Sequence, residues 1–165
     1  MVPPRPLAAI TDTDEIDPSP AVSTLEGAGF AVDVLDSRDP SVIAEGAAEA
    51  SALVIGYARV DADLLDRLER LQVVAAMSVG VDTVDLRAAE ERGIWVSNVP
   101  DAATEEVAVH ALALALGLVR RITFLDRHVR SGGWGVDAAE SMRRPSRLSL
   151  GVVGLGRIGR RFAAL

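Results

Sequence analysis

Apolar runs and helix-patterned stretches alternate through the first hundred residues. Runs rich in Val, Ile, Leu and Ala fall at residues 7–11, 30–35, 52–57, 73–79 and 94–98. They are mostly continuous rather than alternating, the pattern of strands covered on both faces. Between them, residues 61–71 place Leu64, Leu65, Leu68 and Leu71 on one side and Asp66, Arg67, Glu69 and Arg70 mostly on the other, the period of a helix lying on a sheet. Asp85 suits the N-cap of a helix over 86–92 that Gly93 ends, and Pro18 and Pro20 suit the start of the first helix. Five strands with four intervening helices predict an α/β fold, a flavodoxin-like, doubly wound parallel sheet over residues 1–101.

After Asn98 the rhythm changes. Residues 102 to about 130 read as one long connecting helix whose apolar face carries Val107, Ala111, Leu112, Ala115, Leu116, Val119 and Ile122, with Ser131-Gly132-Gly133 as its stop. Residues 132–147 lack periodicity and read as a linker. An apolar run at 148–153 then predicts a strand, followed by a turn and a helix from Arg157. Gly154, Gly156 and Gly159 in that turn have the GxGxxG spacing of a dinucleotide-phosphate cradle. The first glycine permits the turn, the second lets backbone approach a pyrophosphate, and the third lets helix pack on strand. The acid that grips a ribose is expected about 20 residues further on, yet only six residues follow Gly159. Residues 148–165 are therefore expected to be the start of an incomplete Rossmann domain. With its neighbours missing, everything beyond about residue 131 is expected to be loosely held.

Composition removes several chemistries. The absence of cysteine excludes thiol catalysis, disulfides and cysteine-ligated zinc. All 17 basic residues are arginine, which excludes the GxxxxGK[ST] loop and Schiff-base chemistry. A net charge of −7 argues against nucleic acid as a partner. The first ten residues hold too short an apolar stretch for a signal peptide, and the apolar run at 107–119 is shorter than the roughly 20 residues of a membrane span, so no membrane partner and a cytoplasmic location are expected. His110 reads as a hydrogen-bonded core histidine, and its separation from His128 gives no metal spacing; no metal is expected. Asp12, Asp14, Glu15 and Asp17 read as a solvated acidic loop, Trp95 as strand packing, and Trp134 as an anchor for the linker.

Several motifs then agree in order. Ser78-Val79-Gly80-Val81-Asp82 ends the fourth strand, residues 85–100 read DLRAAEERGIWVSNVP, residues 104–122 read TEEVAVHALALALGLVRRI, and Gly133-Trp134 precedes GVVGLGRIGRRFA. Together they resemble the D-isomer-specific 2-hydroxyacid dehydrogenase family over nearly the whole chain. The resemblance implies a two-domain enzyme that moves hydride between NAD or NADP and a small 2-keto or 2-hydroxy acid such as glyoxylate, hydroxypyruvate or a phosphoglycerate-like compound. It also implies a homodimer in the full-length form. The family's arginine, glutamate and histidine lie past Leu165, so no catalytic residue is assigned and this chain alone is expected to lack turnover. Val79 and Gly80 match the turn that holds the substrate carboxylate. Gly154, Gly156, Arg157, Ile158 and Gly159 match the cofactor pyrophosphate site. Thr104 falls at a helix start near the nicotinamide, where its hydroxyl caps the helix or touches the cofactor. Val109 stands where many members have glutamate, and Ala76 where many have arginine. The alternative is a non-enzymatic dimerisation or regulatory module with a vestigial nucleotide loop.

Overall fold

All five expected strands form in a computed structural model, which describes residues 5–135, 137 and 142–165. They are β1 (Leu7–Ile10), β2 (Ala31–Val34), β3 (Ala50–Ile55), β4 (Val73–Ala76) and β5 (Trp95–Ser97). Every pairing is parallel, in the order β2-β1-β3-β4-β5. Four helices intervene: α1 (Ser19–Gly27), α2 (Pro40–Gly46), α3 (Ala62–Arg67) and α4 (Leu86–Glu91). This is the doubly wound order whose chain reversal lies between β1 and β3.

Burial follows position in the sheet. Ala8, Ala9, Ile10, Leu53, Ile55 and Val74 on the three inner strands are buried, with Ile43, Leu64, Leu65, Ala88 and Ala89 of the helices against them. Asp61 and Asp85 accept the N–H groups of Leu64 and Ala88, fixing the starts of α3 and α4. The helix expected over 61–71 stops at Arg67, although Leu68 and Leu71 stay in the core through a turn. Strand β4 ends at Ala76 rather than at residue 79, because Met77 makes a last bond to Ile55 and the chain then turns away. Trp95, expected to pack within the sheet, is 79% exposed on the edge strand β5.

The described residues form two units, one running through Ala102 and one from Ala103 to Leu165. In the second, the single helix expected over 102–130 is two: α5 (Thr104–Val119) and α6 (Ile122–Arg130), bent by 58°. The break is at Arg121, which is left-handed at φ 53°, with its guanidinium 4.0 Å from the centre of the Phe124 ring. β-Branched Val119, Ile122 and Thr123 weaken the helix around it. Helix α6 ends as expected: Gly132 is left-handed at φ 85°, and Gly133 donates to the His128 carbonyl. Of α5 only Ala108 is buried, and His110 is exposed rather than in a core.

Residues 148–153 form no strand, contrary to expectation. A parallel strand exists only against a partner, and no described segment pairs with this one. The helix does form, as α7 (Arg157–Ala164), and it packs on α5. The Arg161 guanidinium clasps the Glu105 carboxylate, with Nη2 to Oε1 at 2.7 Å and Nε on Oε2. That contact ties part of the segment expected to be loose. Of the expected linker, residues 136 and 138–141 lie outside the described set; Pro145–Arg147 makes a 3₁₀ turn, and Trp134 is exposed. Among the described residues no single helix is long and apolar enough to cross a membrane.

Candidate functional site

The carboxyl ends of β1, β3, β4 and β5 carry the polar residues of the first unit. In an open parallel sheet this is the edge where ligands bind, at the point where strand order reverses. Asp12 lies two residues past the end of β1 and is buried. Its carboxylate accepts the N–H groups of Gly56 (3.2 Å), Tyr57 (2.7 Å) and Ala58 (3.1 Å) after β3, the Thr11 hydroxyl (2.6 Å), and Arg38 Nε (3.0 Å). Burial alone raises its pKa, but the bonds from Thr11, Tyr57, Ala58 and Arg38 together hold it below the ordinary carboxylate value. A Cβ on Gly56 would stand 2.8 Å from the Asp12 carboxylate, so the loop approaches this closely only as glycine. The acidic stretch is thus not uniformly solvated. Arg38 also pairs with Asp14 (2.6 Å) and lies 5.0 Å from the centre of the Tyr57 ring, so one cation links the loops after β1, β2 and β3.

The turn after β4 is held by its carbonyls. The Ser78 carbonyl accepts from Val99 N–H (3.1 Å), the Val79 carbonyl from Asn98 Nδ2 (2.7 Å), and the Gly80 carbonyl from the Ser78 hydroxyl (2.7 Å). The N–H groups of Val79, Gly80 and Val81 donate to none of the described residues. With the carbonyls engaged, the amides of these exposed or half-exposed residues are donors that a carboxylate can accept from. The sequence reads Asn98 only as the end of a strand; the structure brings its side-chain amide to the Val79 carbonyl.

The glycine loop sits in the second unit. Gly154 is left-handed at φ 93°, a Cβ on Gly156 would meet open space, and one on Gly159 would run into the Gly154 carbonyl. Arg157 and Ile158 open α7, and the first turn of a helix presents N–H groups that no intrahelical carbonyl reaches. Thr104 does not cap α5: Ala103 is at the N-cap and no side chain bonds the helix start. Thr104 instead begins the helix one residue before Glu105, the residue that holds α7. Among the described residues no group of three His, Asp or Glu side chains is placed to bind a metal ion.

A family profile described as the D-isomer-specific 2-hydroxyacid dehydrogenase catalytic domain matches residues 9–156. The chain belongs to this family. Similarity to individual dehydrogenases of the family agrees. The chain is 41% identical over 129 residues to a glyoxylate/hydroxypyruvate reductase of Arabidopsis thaliana, covering 77% of this chain and 41% of that protein. The D-lactate dehydrogenase of Aquifex aeolicus, solved with NAD and lactic acid, superposes with a TM-score of 0.85 at 28% identity, over 95% of this chain and 47% of its own. An NADPH-dependent glyoxylate/hydroxypyruvate reductase of Sinorhizobium meliloti, solved with NADP and malonate, gives 0.72 at 31% identity, over 98% and 50%. The chain spans about two fifths to half the length of these dehydrogenases.

Proposed function

We propose that the chain supplies two parts of an oxidoreductase acting between a nicotinamide cofactor and a 2-hydroxy or 2-keto acid: the substrate-carboxylate turn at Val79 and Gly80, and the pyrophosphate loop of Gly154, Gly156, Arg157, Ile158 and Gly159. On this reading residues 1–101 are the substrate domain and residues 148–165 open the cofactor domain. The observation that carries it is the turn after β4, where three carbonyls are occupied and three amides donate to none of the described residues.

NAD or NADP is the group the family implies, and the loop fits it. The left-handed Gly154 turns the chain, the bare Cα of Gly156 leaves room for phosphate oxygens, and Gly159 brings α7 down on the loop so that its first N–H groups face the same space. When bound, the cofactor exchanges hydride with the substrate's C2. The chain's own part is positional. The amides of residues 79–81 donate hydrogen bonds to the carboxylate and so fix where C2 lies, while Asn98 and Ser78 hold the turn through its carbonyls.

The test is an amide-resolved NMR titration of the chain with glyoxylate, expected to move the signals of Val79, Gly80 and Val81 first. In Gly80→Ala the new Cβ would stand 2.8 Å from Asp82 Oδ1 beside those amides, and glyoxylate affinity is expected to fall about tenfold, near 1.4 kcal/mol. Shifts elsewhere with that turn silent would refute the assignment.

We further propose self-association through α5. Val107, Leu114 and Leu118 are exposed along one side of it, and an uncovered apolar stripe favours a partner; a second copy is the one the family resemblance implies. Sedimentation equilibrium is expected to return a dimer mass, and a monomer at every concentration would end this reading.

A further inference from the structure

Next to the turn after β4, within the first unit, lies a cavity of about 300 Å³. Its walls include Ile16, Pro20, Ala21, Tyr57, Met77 and Ser78. Ser78 belongs both to this wall and to the turn, so a molecule whose carboxylate rests on the amides of residues 79–81 has the cavity as its neighbour. The volume is at the small end for ligand sites and suits a substituent rather than a whole cofactor. Its surface is mainly apolar, and Ile16, Tyr57 and Met77 keep much of their area uncovered.

The polar groups on the wall are unusual in sign. Asp14 and Asp17 line the cavity and no arginine or histidine does. Both carboxylates are held in place. Asp14 is paired with Arg38 at 2.6 Å, and Asp17 accepts the Ser19 hydroxyl at 2.6 Å and its N–H at 3.0 Å. The Ser19 hydroxyl, and then its N–H, hold Asp17 below its ordinary pKa, so it is ionised near neutrality.

We infer that this cavity receives the side chain of the 2-keto or 2-hydroxy acid, and that Asp14 and Asp17 are specificity-determining residues favouring uncharged, apolar side chains over phosphorylated or dicarboxylic ones. The inference rests on the carboxylate reading of residues 79–81 and narrows it to a substrate class. Apolar walls reward an aliphatic or aromatic group by removing it from water. A second anionic group placed there meets the charge of Asp17, and that of Asp14 as far as its pairing with Arg38 leaves it uncompensated, and such a repulsive element separates substrates that share the same carboxylate.

The experiment is a titration of the chain with glyoxylate, phenylpyruvate and 3-phosphohydroxypyruvate, followed by amide and methyl NMR. Phenylpyruvate is expected to move the amides of residues 79–81 together with the methyl groups of Ile16, Ala21 and Met77, and to bind at least about fivefold tighter than the phosphorylated acid. The double variant Asp14→Asn with Asp17→Asn keeps side chains that tolerate the left-handed Asp14 backbone and still bond Ser19. It is expected to close that gap by about fivefold or more, chiefly by tightening the phosphorylated acid. If glyoxylate moves the turn but phenylpyruvate leaves the methyl groups of those three residues still, or if the variant leaves the discrimination intact, this inference falls while the carboxylate reading stands. If glyoxylate leaves the turn still, the carboxylate reading falls and takes this one with it.

Discussion

Asp12→Ala is expected to lower the unfolding free energy by about 3–5 kcal/mol, the loss that follows removal of one partner from a buried, hydrogen-bonded charge. The substitution strands the N–H groups of Gly56, Tyr57 and Ala58 at the centre of the sheet's carboxyl edge, while the Thr11 hydroxyl is left with the Val54 carbonyl at 3.4 Å. Each buried donor without an acceptor costs about 1–3 kcal/mol, and water entering the space recovers part of that. Arg38 is half exposed and adds little once its partner is gone. Asp12→Asn keeps one acceptor oxygen and is expected to lose about half as much.

The pH dependence has a definite sign. The folded pKa of Asp12 lies below its ordinary value of 3.8. The stabilisation is therefore complete above that value and is lost as pH falls through the lower folded one. Urea midpoints measured down to about pH 2 should fall more steeply for the parent than for Asp12→Asn. Parallel acid limbs would show that the carboxylate is not the group that closes this edge.

The second large effect is expected at Gly159. An added methyl in Gly159→Ala points at the Gly154 carbonyl, which is backbone and has no rotamer to yield. Helix α7 must lift from the loop, and the N–H groups at its start leave the position set by Gly154 and Gly156. NADH affinity, followed by the fluorescence of the nicotinamide, is expected to drop at least tenfold, about 1.4 kcal/mol or more. The midpoint of the first unit should be unaffected, because Gly159 lies outside it. A variant that binds NADH like its parent would remove the third glycine from the cofactor reading.

The sheet could be read from the chain because inner parallel strands are buried on both faces and leave unbroken apolar runs; β1, β3 and β4 fall where those runs are. The edges were less legible. Trp95 looks like core by composition, but its strand has a neighbour on one side only. The break at Arg121 carries no glycine or proline to announce it; arginine adopts a left-handed backbone there. Asp12 was misread for a different reason. Acidic, exposed residues follow it in sequence, whereas its three backbone donors lie 44–46 residues away on the loop after β3. Residues 148–153 have strand composition, and composition cannot supply a second strand to pair with. The glycine loop was legible because its requirements are local: one left-handed residue, one open Cα and one close packing contact.

Because Asn98, Val99 and Ser78 already fasten the carbonyls of residues 78–80, the backbone there has surrendered its freedom during folding. An arriving carboxylate has little left to freeze. Its association should thus be fast and governed by diffusion, release heat, and proceed without a slow rearrangement phase in stopped-flow traces.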